Sequence, residues 1–92
     1  MERNYLFVYW VINPYTLERI KKDSVKIAAS NIVNAVEIVG IHIDLIEYVQ
    51  PLPTIFLFGE ETKYAIRKNK QGLFFIPIYE NPINSINIID NE

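Results

Sequence analysis

The sequence predicts an α+β fold, a single small domain over residues 1–92 made mostly of antiparallel β-sheet with one short helix packed on one face. Three observations predict it. Tyr5 to Ile12 is an unbroken apolar run at both parities. The hydrophobic period changes from two to three-and-four near Ser30. Beyond Gly40, isolated glycines at 59 and 72 and prolines at 51, 53 and 77 cut the chain into short apolar runs that read as strands.

In the first strand Tyr5, Phe7, Tyr9 and Val11 share one face, and Leu6, Val8, Trp10 and Ile12 share the other. Such a strand needs cover on both sides, which places it centrally in the sheet or against a partner; a central position is preferred. Asn13-Pro14 ends it, because proline fixes its own backbone and biases its predecessor away from helix. Residues 15–22 allow two readings. Asn13 as cap and Pro14 as first helical residue would begin a two-turn helix with Leu17 and Ile20 three apart. The preferred reading is the far end of a hairpin, since Val25 to Ala29 then pairs with Tyr5 to Val11.

Val25, Ile27 and Ala29 keep the strand period. Ala28, Ile32, Ala35, Val36 and Val39 then fall on one helical stripe. Ser30 or Asn31 can cap this helix of about ten residues, and Gly40 can close it in the left-handed conformation. So short a helix needs a surface to lie on. After it, Ile41, Ile43 and Leu45 alternate with His42 and Asp44, and the parity slips at Leu45-Ile46, as a β-bulge would make it. Pro51 and Pro53 close that strand. Thr54 to Phe58 is expected as the next strand, Gly59-Glu60-Glu61 as a turn, residues 63–67 as a strand with one wet face, residues 68–72 as a turn, and Leu73 to Tyr79 as an edge strand because it carries Pro77. The tail, residues 81–92, holds Ile83, Ile86, Ile88 and Ile89, too many for a solvated end, and is expected to dock on the domain or on a second copy.

Composition narrows the function classes. Of 92 residues half are hydrophobic and 22% are charged, so the chain can bury a core. The formal net charge of −2 gives no strong overall field, which disfavours a dedicated nucleic-acid binder. Without cysteine there is no disulfide, thiolate metal site or cysteine nucleophile, and a cytoplasmic setting fits best, in the host cell if the protein is viral. The longest apolar run is far below the ~20 residues of a membrane-spanning helix, and no signal peptide or membrane partner is expected. Sixteen isoleucines and nine asparagines suggest the A/T-rich coding bias common in phages, archaeal viruses and low-GC bacteria.

No residue pattern points to catalysis, and no catalytic, metal or cofactor residue is assigned. His42 and Asp44, with Glu47 nearby, would share a face if extended, but metal sites usually need three or four protein ligands and a nucleophile needs an oxyanion site. A small hydrolase or nuclease on this pair is therefore the weakest expectation. Ser24, Ser30 and Ser85 read as turn and cap residues, and no glycine-rich phosphate loop is present. The basic residues fall in two groups, Arg19, Lys21, Lys22 and Lys26, then Lys63, Arg67, Lys68 and Lys70. If their strands are neighbours they form one positive stripe, with Tyr64, Phe74 and Tyr79 as stacking rings for nucleic acid; otherwise the lysines blunt strand edges. The leading expectation rests on surplus apolar area. One short helix cannot cover two apolar sheet faces and a tail of isoleucines. Trp10, Tyr64, Phe74, Tyr79, Ile86 and Ile88 are the candidate partner-binding residues of a non-catalytic protein-binding module. It would be a phage or mobile-element protein that inhibits or modulates a host protein, or acts as a homodimer.

Overall fold

The computed structural model describes residues 2–54, 56–57 and 59–78, with only the backbone of Phe56, Leu57 and Glu60. The element order is β1 (Arg3–Ile12), β2 (Arg19–Ala29), α1 (Ile32–Val39), a 3-10 turn (Ile43–Leu45), β3 (Ile46–Leu52), β4 (Phe56–Leu57), β5 (Glu60–Glu61), β6 (Lys63–Asn69) and β7 (Gly72–Ile78). Among the described residues the main sheet has the order β2-β1-β3-β6-β7, antiparallel throughout, and β4 and β5 form a separate two-stranded pair. This is the expected α+β domain with one helix. The expectation that residues 81–92 dock falls outside the described residues, as do Tyr79, Ile86 and Ile88.

The doubly apolar β1 is central, paired with β2 on one side and β3 on the other. Its connection to β2 is the hairpin, not the helix. The Asn13 side chain accepts from the Tyr15 and Thr16 amides at 2.8 and 3.2 Å, which satisfies the turn donors that a helix would have used. The Asn13 and Leu17 amides donate to the Glu18 and Asn13 carbonyls at 2.8 and 2.7 Å, and this closure holds Leu17 at a φ of 65°. With the turn settled, β2 pairs down to Arg19, well beyond the expected Val25 to Ala29.

Helix α1 begins as expected: the Asn34 amide donates to the Asn31 side chain at 2.8 Å, and Gly40 ends the helix at a φ of 71°. Its stripe buries Ala35 and Val36 against Tyr5, Phe7, Ala29, Ile46, Val49 and Ile66, with Ile32 and Val39 packed around them. Phe7 and Val49, opposite each other on β1 and β3, are 0% exposed at the centre of this core.

Two expectations are corrected. Ile41 to Leu45 is not strand. The His42 ring accepts from the Asp44 amide at 3.2 Å and caps a 3-10 turn, so the apolar alternation there belongs to a turn, and the strand starts only at Ile46. The extra residue is Glu47, where the β1 and β3 registers shift between Val8/Tyr48 and Tyr9/Ile46. In the second correction, the strand expected over Thr54 to Phe58 shrinks to Phe56–Leu57, and Glu60–Glu61, expected as turn, pairs back onto it around Gly59. Pro77 does lie on an outermost strand, where a lost ladder donor is tolerated.

Candidate interaction surface

Residues directly opposite in adjacent antiparallel strands share a sheet face. Since Phe7, Val25, Val49, Tyr64 and Pro77 are aligned on the helix side, their chain neighbours project from the other side. Three rows result across this open face. The first runs Ile78, Lys63, Gln50, Leu6 and Lys26; the second Ile76, Ala65, Tyr48, Val8 and Ser24; the third Phe74, Arg67, the bulged Glu47, Trp10 and Lys22.

The first row has a partial roof. Gln50 is buried and donates to the Thr54 hydroxyl at 3.0 Å and to the Glu61 carboxylate at 3.5 Å, so the segment carrying β4 and β5 closes over that end. Among the described residues the second and third rows have no such hydrogen-bonded cover. Phe74 and Ile76 are 41% and 43% exposed, while Leu6, Val8, Trp10 and Tyr48 are half-buried.

Charge frames the apolar rows. The Arg19 guanidinium carbon and the Lys22 ammonium lie 5.0 and 5.1 Å from the Trp10 ring centroid. Lys22 also pairs with Glu47, its ammonium 2.9 and 2.8 Å from the two carboxylate oxygens. Lys63 lies 4.8 Å over the Tyr48 ring and 4.0 Å from the Glu61 carboxylate. The Arg67 guanidinium donates to the Ile66 carbonyl at 2.9 Å. A groove of about 510 Å³ is lined by Trp10, Arg19, Ile43, Glu47, Arg67 and Lys68 among others, at the end of the sheet where β3 begins. A second groove, of about 780 Å³, lies on the helix side between the start of α1 and the sheet, lined by Tyr5, Ile32, Pro51, Tyr64 and Phe75 among others.

The candidate residues therefore separate. Trp10 and Phe74 share the open face, three strands apart, whereas Tyr64 is turned to the helix side and packs against the core. The two basic groups do not merge into one stripe, because β2 and β6 are separated by β1 and β3. Arg19, Lys22 and Lys26 flank the open face at β2, and Lys63 and Arg67 lie on its β6 side. Lys21 and Lys68 align with helix-side positions, and Lys70 is in the β6–β7 turn. Spacing along the chain did not single out Tyr48 or Ile76. Their signal was the other parity of β1, whose Val8 they join in a row.

His42 and Asp44, not on a strand, sit 3.5 Å apart in the exposed turn before β3. They act there as a cap, and among the described residues no third group is hydrogen-bonded to either side chain. Among the described residues no three His, Cys, Asp or Glu side chains are grouped to hold a metal, and no helix is long and apolar enough to cross a membrane. Compared with protein-family models, curated proteins and solved structures, the chain matches none.

Proposed function

We propose that this is a non-catalytic protein-binding module whose binding surface is the open sheet face centred on Val8, Trp10, Tyr48, Phe74 and Ile76. The observation that carries this reading is the asymmetry of β1. Its odd face carries Tyr5 and Phe7 into the core beneath α1, and its even face continues into Phe74 and Ile76 at 41% and 43% exposure. An apolar patch rimmed by charged residues is the composition of a protein-docking surface.

Nucleic-acid binding is the second reading, supported by cations beside rings on this same face. It is the weaker one. Arg19 and Lys22 already sit over Trp10, Lys63 over Tyr48, and Glu47 neutralises Lys22, so stacking positions and phosphate-binding charge are both partly used within the chain. That the partner is a host protein of a phage or mobile element, or a second copy, rests on composition and surplus apolar area alone.

Photo-cross-linking tests the proposal. A photoreactive residue at Phe74 is expected to give a discrete protein adduct in cell extract, while one at Glu37, exposed on α1, gives none. Adducts to nucleic acid at Phe74 would transfer the function to the second reading. No adduct at Phe74, or equal adducts at both positions, would overturn the surface assignment.

A further inference from the structure

We propose that the groove of about 510 Å³ takes an extended acidic peptide, its backbone in line with β3 and its carboxylates on Arg19 and Arg67. Among the described residues the sheet is one strand short at this place. Sheet order puts β3 between β1 and β6, but β3 begins at Ile46, opposite Tyr9. Trp10, Val11 and Ile12 carry β1 past that level with ladder partners on β2 only. On the other wall Lys68 and Asn69 pair with β7, and β3 meets β6 only at Val49 and Tyr64. Just upstream of Ile46 the chain is a 3-10 turn and continues no ladder. Two strand spacings, roughly 10 Å, separate β1 from β6, the room that one extended chain takes. The strand edges on either side carry main-chain donors and acceptors that an added peptide strand can pair.

The charged lining is Arg19, Arg67 and Lys68 against Asp44 and Glu47. Glu47 is already spent on Lys22, whose ammonium lies 2.8 Å from its carboxylate, so that pair adds no net charge. Three cations then face one free carboxylate, Asp44, which sits 3.5 Å from the His42 ring. Among the described residues no carboxylate pairs with Arg19, Arg67 or Lys68. Arg19 lies over Trp10 and Arg67 gives a bond to the Ile66 carbonyl, which leaves most donors of each guanidinium for a ligand. Ile46 and Ile66, on the helix side of the same groove, suit the alternate, apolar side chains of a strand. A phosphate backbone fits less well, because it repels Asp44 and donates nothing to it, whereas peptide amides donate and the peptide's acids answer the arginines. The choice of a peptide rests on the protein-binding reading of the open face. The preference for a carboxylate stands on the groove's own residues.

Trp10 lines the groove and is the single tryptophan, so its emission reports occupancy in the full chain. The probe is a blocked hexapeptide alternating valine with glutamate. It is expected to shift the emission saturably. Its valine–lysine counterpart, and a form N-methylated at alternate residues, should leave the emission unchanged. Arg19→Gln and Arg67→Gln, both at exposed positions, should each weaken the glutamate peptide about tenfold. Lys26→Gln, at the far end of the open face, should bind it as the parent does.

No saturable shift at millimolar glutamate peptide overturns the proposal. So does a shift that both arginine variants keep at full affinity. Tighter binding of an oligothymidylate, or a response to inorganic phosphate without one to the peptide, would make the groove a phosphate site and overturn it as well. A cross-link at Phe74 without peptide binding would remove the groove and leave the proposed function standing. Peptide binding without any cross-link would keep the groove and remove the wider face.

Discussion

Phe7 and Val8 are adjacent on β1, yet the sheet gives them opposite tasks. Phe7 is 0% exposed beneath α1 and belongs to a cluster drawn from four strands and the helix. Val8 is half-buried on a face whose far side, Ile76 and Phe74, remains 43% and 41% exposed. The helix face holds the buried core and supplies stability. The open face holds similar residue types with less cover, which makes it a surface able to gain on binding. The difference comes from one short helix being able to cover only one side of a sheet.

The largest expected break in this contrast is Phe7→Ala. Emptying the centre of a packed core costs about 3–5 kcal/mol, a large fraction of the ~5–15 kcal/mol that holds a small domain, whereas Val8→Ala should cost only about 1 kcal/mol. Urea midpoints of the two variants measure the contrast, and equal losses would mean the two faces are equally packed. Next in size is Asn31→Ala. It removes the acceptor of the Asn34 amide at the start of α1 and should cost about 1 kcal/mol in the same assay. Leu17→Gly should act in the other direction. Relief of about 1–2 kcal/mol of left-handed strain at a φ of 65°, less about 0.5–1 kcal/mol of glycine entropy, leaves a gain near 0.5 kcal/mol. Smallest in stability is Phe74→Leu, expected within about 0.5 kcal/mol of the parent because an apolar side chain of similar reach keeps the buried contacts of a ring that is 41% exposed. A loss of several kcal/mol there would make Phe74 a core residue and remove the basis for a binding face.

Much of the helix face was legible in the sequence. The odd parity of β1, the change of period at Ser30, the Asn31 cap and the Gly40 stop each have a local cause, and each recurs in the structure. What was not legible depended on contacts that spacing along the chain does not encode. An added residue in a strand and a 3-10 turn before one produce the same slip of parity, and only the His42 ring accepting from the Asp44 amide distinguishes them. Two-residue strands such as Phe56–Leu57 and Glu60–Glu61 are shorter than any period. Sheet order is long-range, so the separation of β2 from β6, and with it the division of the basic residues, followed only from the assembled sheet. On the open face Trp10 and Phe74 were legible as aromatics on strands, but Tyr48 lay beyond the slip and Ile76 sat beside a proline.

Val33 on α1 and Ile76 on β7 are both 43% exposed, so they form a matched pair on the two sides of the molecule. The most direct measurement of the central claim compares Val33→Asp with Ile76→Asp for cross-link yield at Phe74 in cell extract, each first verified by its melting curve. The two should melt alike, with Val33→Asp keeping the adduct and Ile76→Asp losing it. Retention of the adduct by Ile76→Asp, or its loss in Val33→Asp alone, would contradict the division of labour between the two faces.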